Sequence, residues 1–225
     1  MGPHCGCGRG IGEKSEQMYY YVPMSQSSVS SLLHATQYQP STVLPVKDEF
    51  VGLMPKGGLV TGTVVAVSGL GSYTAAIEML STTSQAGFTV ALAALCDLGV
   101  MALAQTGWDL SRVVMVDDGP EMAQVIALLI AAFDVVVFEA RLIDRHWHRL
   151  VARTRERKSA LVVVDQDRRI GGHRQRPQVT PDVTLIVEEF GWAEPSRLSP
   201  FGAPTLHLLT QEHGLVIGAP TVLTR

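Results

Sequence analysis

The 225 residues suffice for one α/β domain plus tails, and a composition 46% hydrophobic and 17% charged describes a globular, rather apolar middle. Three cysteines, Cys5, Cys7 and Cys96, are too sparse for a disulfide framework and point to a reducing cytoplasm. The formal net charge of −3 hides an asymmetry: Arg141 to Arg176 carries eleven Lys/Arg against four Asp/Glu, which leaves −10 for the rest and points to an anionic partner.

Residues 1–42 are rich in Gly, Ser, Gln, Tyr and Pro, without helix or strand period, and are expected to be a disordered extension. Met18 and Met24 are alternative starts, and a short helix near Ser28 to Ala35 is the ordered alternative. His4 with Cys5 and Cys7 offers metal-binding atoms, but no second pair follows, so no metal is expected. The N-terminus lacks the basic-then-apolar order of a signal peptide. The apolar stretch Val90 to Ala104 is broken by Asp97 and Gly99, and Val125 to Phe133 falls short of the roughly 20 residues of a membrane span.

Order is expected from Val43 to about residue 190. A Pro/Gly turn at Leu53 to Leu59 precedes a β-branched strand, Thr63 to Val67. A helix over Thr74 to Gln85 carries Ile77, Leu80 and Ser84 on one stripe and stops at Gly87. Phe88 to Leu95 reads as a strand buried on both faces. A helix at Val100 to Gln105, a strand at Arg112 to Val116 and a helix at Pro120 to Ala132 follow. Then come the strand DVVVFE (Asp134 to Glu139), a helix over Asp144 to Arg157 and the strand ALVVVD (Ala160 to Asp165). Thr184 to Glu188 reads as an edge or antiparallel strand, and two short strands near Leu206–Thr210 and Leu215–Ile217 flank His213-Gly214. Alternation at this spacing predicts an open, mostly parallel sheet flanked by helices, with ligands beyond the strands' carboxyl ends.

The segment from Gly62, GTVVAVSGLGSYTAAIEML, has the strand–turn–helix setting of a phosphate-binding loop, GxxxxGK[ST]. Counted without a gap from Gly69, the second Gly falls on Thr74, the Lys on Ala75 and the hydroxyl residue on Ala76. A gapped alignment puts Ser72, Tyr73 and Thr74 there and restores no Lys; none occurs between Lys56 and Lys158. The ammonium that contacts the β/γ-phosphates and the hydroxyl that holds Mg²⁺ are both missing, so no cofactor and no catalytic residue are expected.

The stretches GLMPKGGLVTGTVVAVSG, QAGFTVALAAL, GWDLSRVVMV, FDVVVFE and ALVVVDQ, in that order, resemble the RecA recombinase core. Within it, Val43 to Glu188 is most similar to small actinobacterial ImuA-type proteins. That resemblance implies an accessory factor of damage-induced, error-prone translesion synthesis. Its partners would be an ImuB-like inactive Y-family polymerase homologue, an error-prone replicative-type polymerase complex with its sliding clamp, and single-stranded DNA, with self-association left open. Residue by residue, Glu139 stands where the family has its Mg²⁺-supporting carboxylate and Gln166 where it has its phosphate-sensing Gln; Asp97 is about one position out of register for the catalytic Glu. With Gly69, Gly71 and Thr74, Glu139 and Gln166 would line a vestigial pocket. The competing reading, that Glu139 and Asp97 only cap strand ends, is favoured because the Lys is gone.

The helix LIDRHWHRLVARTRERK places Ile143, Trp147, Leu150, Val151 and Thr154 on a core stripe, with Arg145, Arg149, Arg153 and Glu156 off it. His146 and His148, two apart, face different ways and make no metal pair. The aperiodic run from Asp167 to Pro177 puts Arg168, Arg169, Arg174 and Arg176 on a Gly-containing loop that suits phosphate contacts. Residues 191–225 form a Pro-rich strap on which Trp192, Leu198 and Phe201 either dock a partner or cap the sheet. The function expected is that of a non-enzymatic, cytoplasmic or nucleoid-associated RecA-like accessory protein. The alternatives are an active DNA-dependent ATPase with an atypical loop, and a DNA-binding or cell-division regulator on the same fold.

Overall fold

Short runs of valine and other aliphatic residues form the strands of the computed structural model, which describes residues 43–95, 98–142, 147–166, 181–192, 204–212 and 215–224. A two-stranded antiparallel ribbon, β1 (Val43–Leu44) with β2 (Leu59–Val60), brackets the short helix α1 (Asp48–Val51). The central strands are β3 (Val64–Ser68), β4 (Val90–Ala93), β5 (Val113–Val116), β6 (Val135–Glu139), β7 (Ala160–Asp165) and β8 (Val183–Trp192). They pair in parallel in the order β5-β4-β6-β7-β3-β8, and the antiparallel strands β9 (Pro204–Glu212) and β10 (Leu215–Thr224) continue the sheet beyond β8. The architecture is α/β with a mostly parallel sheet flanked by helices, compatible with a RecA-like core.

Alternate residues of each strand face opposite sides, so the sheet has two cores. Val65, Val67, Leu92, Val137, Val162, Val164 and Leu185 pack with helix α2 (Ser72–Gln85), Leu103 of helix α3 (Val100–Gln105), Trp108 and the N-terminal ribbon. Val64, Ala91, Val136, Phe138, Leu161 and Val163 pack with helices α4 (Met122–Ala132) and α5 (Trp147–Arg157). Of the expected stripe on α5, Trp147, Leu150, Val151 and Thr154 are buried, Ile143 lies outside the described residues, and Trp147 meets Phe138 edge-on at 6.3 Å.

Polar contacts fasten the ribbon to α2. Lys47 Nζ donates to Glu78 at 2.8 Å, the Lys47 amide to the Met79 carbonyl and the Thr83 hydroxyl to the Pro45 carbonyl. Glu78 has a side chain only 7% exposed. Burial works against the Lys47 charge, but the hydrogen bond and attraction of Glu78, helped by Glu49, outweigh it and raise the ammonium's pKa.

Two expectations need correction. Thr184 to Glu188 is no edge strand: β8 lies inside the sheet, parallel to β3 and antiparallel to β9. The helix after the first core strand starts at Ser72 rather than Thr74, which shortens the preceding turn. The final strands are also longer than the sequence suggested, and prolines do not prevent them. Pro204 opens β9, and Pro220 lies where the β10 register slips between Ile217 and Thr221, positions at which a missing N–H costs no regular ladder bond. Among the described residues, no helix is long and apolar enough to cross a membrane.

Candidate functional site

The carboxyl ends of β3, β7 and β6 lie side by side, with Ser68 opposite Asp165 and Val164 opposite Glu139. This register brings Gly69, Gln166 and Glu139 to one edge of the sheet, where ligands of open α/β sheets bind. Gly71 and Thr74 enter from the turn and from the first turn of α2.

The turn itself is closed. Only Gly69, Leu70 and Gly71 separate the end of β3 from the start of α2. That is too short for the ungapped eight-residue phosphate-loop alignment, whose second-Gly position, Thr74, already lies inside the helix. The Gly69 amide donates to the Asp165 carbonyl at 2.9 Å and the Ser72 amide to the Gly69 carbonyl at 3.1 Å, so these N–H groups serve the fold. Gly69 and Gly71 both have positive φ, 109° and 87°, and the next strands crowd them. A Cβ on Gly69 would collide with the Val187 carbonyl oxygen, and one on Gly71 would stand 2.5 Å from the Phe190 ring. β8 and Leu206 of β9 thus press on the turn from one side, while Leu70 at its tip is 66% exposed.

The hydroxyls offer no replacement for the missing Mg²⁺ ligand. Ser72, which the gapped alignment sets at the second Gly, is fully buried, and its Oγ has no hydrogen-bond partner among the described residues. Thr74 is half-buried on the helix. Glu139 is held by Arg141, whose guanidinium also reaches Asp118 at 2.7 Å. Those two carboxylates raise the Arg141 pKa further above its already high value, Glu139 having the larger effect. Gln166 is exposed just past β7. Beneath this edge, Tyr73, Ile77, Leu95, Trp108, Val137 and Val164 line an apolar slot too narrow to admit water. Trp108 closes it, its indole N–H donating to the Ile77 carbonyl at 3.0 Å.

The positions named from sequence are therefore gathered at one edge, but as the rim of a filled turn. Arg168, Arg169, Arg174 and Arg176 lie outside the described residues, as do Leu198, Phe201, Asp97 and the three cysteines. Trp192 ends β8, and its side chain is also outside them. Sequence reasoning missed the Arg141 pairing, since Asp118 is 23 residues away, and it missed the lid role of Trp108. The GWD turn, with its indole flanked by Gly107 and Asp109, was the available signal for the lid.

Comparison with known proteins adds the family. The model of the family described as MT3502 N-terminal domain matches residues 52–169, just over half of the chain. The chain belongs to that family. A curated relative, the uncharacterized protein Rv3395c of Mycobacterium tuberculosis, is 35% identical over 121 residues, covering 51% of this chain and 58% of that protein. The chain thus spans less than two thirds of its relative's length. The family span holds β3 to β7 with the short turn and the α4–α5 pair, whereas β8 to β10, which crowd the turn, lie beyond it.

Proposed function

We propose that the chain is a RecA-like accessory protein that works by binding and not by nucleotide hydrolysis. The observation that carries this reading is the three-residue turn at Gly69–Gly71, pressed by Val187 and Phe190, with Lys and Mg²⁺-binding hydroxyl both absent from the start of α2. Phosphoryl transfer rests on positioning and charge stabilisation, and a closed turn with no ammonium supplies neither. The sequence likeness to ImuA-type proteins supports placing it in the cytoplasmic response to DNA damage, in error-prone translesion synthesis. Its partners there would be an ImuB-like polymerase homologue, the associated error-prone polymerase complex and single-stranded DNA held by Arg168, Arg169, Arg174 and Arg176. An active ATPase is disfavoured by the turn; a cell-division regulator on the same fold differs only in partner.

The purified full chain should turn over no ATP above buffer, with or without single-stranded DNA. DNA-stimulated turnover above about one per minute, within ordinary enzyme rates, would sink the proposal. Co-purification with the polymerase homologue tests the partner separately.

A further inference from the structure

On the sheet face away from α2, helices α4 and α5 lie side by side and leave a groove of about 530 Å³ between them. Its floor is small and apolar: Ala123 and Ala127 from α4, Leu150 and Ala152 from α5. Arg149, Arg153 and Glu156 recur at i, i+4 and i+7 and so stand in one row along it, opposite Gln124.

Among the described residues the row has no partner. The Nε of Arg153 is removed from solvent and has no acceptor among the described residues. Among those residues, Arg149, Gln124 and Glu156 also make no side-chain hydrogen bond or ion pair. Other arginines of the same region are supplied: Arg155 meets Asp182 at 3.6 Å, and Arg141 has Glu139 and Asp118. Two guanidinium groups side by side with no carboxylate between them favour a ligand that brings one.

We propose that this groove docks an acidic segment of another protein. One carboxylate of that segment sits between the Arg149 and Arg153 guanidinium groups that line the groove, and the small apolar side chains beside it pack on the alanine floor. Two features select this occupant. Glu156 in the same row opposes the unbroken negative charge of a nucleic-acid backbone. The apolar floor beside the arginine pair fits a chain that carries small apolar side chains next to its carboxylate, which a nucleic-acid backbone does not. The inference does not depend on which partner the function above assigns.

The test is a titration of isotope-labelled full-length chain followed by NMR, reading the arginine Nε–Hε signals and the Ala123 and Ala127 methyls. Three probes are compared: a helical Leu/Ala/Glu peptide of about 18 residues, its Leu/Ala/Lys counterpart and oligothymidine. The Glu peptide should move these signals and the other two should not. Arg149→Glu, at an exposed position where folding is not at risk, should weaken the Glu peptide by about tenfold or more, the size of one charge-assisted contact. Arg153→Gln should do the same, with a thermal melt as its folding control. Movement by oligothymidine or by the Lys peptide instead of the Glu peptide overturns the proposal. So does silence with all three probes, or Glu-peptide binding that Arg149→Glu leaves unchanged.

Discussion

Replacing Gly69 by Ala puts the closed turn to a direct measurement. The position has φ 109°, and the added methyl carbon would collide with the backbone oxygen of Val187. An L-residue forced to positive φ costs about 1–2 kcal/mol. The contact is with backbone rather than a flexible side-chain tip, so β8 must shift, and overpacking of this kind costs about 1–3 kcal/mol more. Gly87 supplies the control: its φ is 91°, but nothing lies within 4 Å of a methyl added there. Gly87→Ala should therefore lose only the conformational part. At about 2–4 °C per kcal/mol for a chain of this size, Gly69→Ala should lower Tm by about 4–20 °C. Its loss should exceed that of Gly87→Ala by about 1–3 kcal/mol in urea titrations of the full chain followed by circular dichroism. Equal losses for the two variants would mean that β8 does not press on the turn, and the structural case against a nucleotide site there would fail.

Changing Arg168, Arg169, Arg174 and Arg176 together to Ala should lower affinity for single-stranded DNA and reduce the slope of log K against log salt by up to about three, with the melt unchanged; an unaltered slope assigns the loop another role. If Trp192, Leu198 and Phe201 anchor a partner, Ala at any two of them should weaken capture of the polymerase homologue by about a hundred-fold or more, at about 1.5–3 kcal/mol per buried side chain. Truncation after Gly191 is not an equivalent test, because it removes β9 with its buried Leu206 and Leu208 and should abolish the cooperative melt. Lys47→Met removes the ammonium that pairs with the buried Glu78 carboxylate and should cost about 1–3 kcal/mol at neutral pH. Since the Lys47 pKa is raised above 10.5, the clip contributes fully below that pH and is lost as pH rises through the folded value, so wild-type stability should fall in that alkaline window and the variant's should fall less.

Much of the core was legible because burial on both faces leaves continuous aliphatic runs: VVAVS, VALA, VVMV, VVVFE and ALVVVD all became parallel strands. The missing Lys was legible as well, since a charge that is absent from the sequence cannot be restored by folding. Tertiary structure decided what periodicity does not encode. Whether TLIVE sits at an edge or inside the sheet depends on β9, more than ten residues away, and on which neighbour completes its hydrogen bonds. The turn length followed from Gly69 and Gly71 taking positive φ under β8, a contact between segments over a hundred residues apart. The partners of Arg141 and the lack of an acceptor for Arg153 Nε among the described residues have the same origin: α5 and the loops after β5 and β6 meet other elements only once the sheet is assembled. A linear sequence gives each arginine the same charge, and only the assembled surface determines which of them is left with an unfilled hydrogen bond.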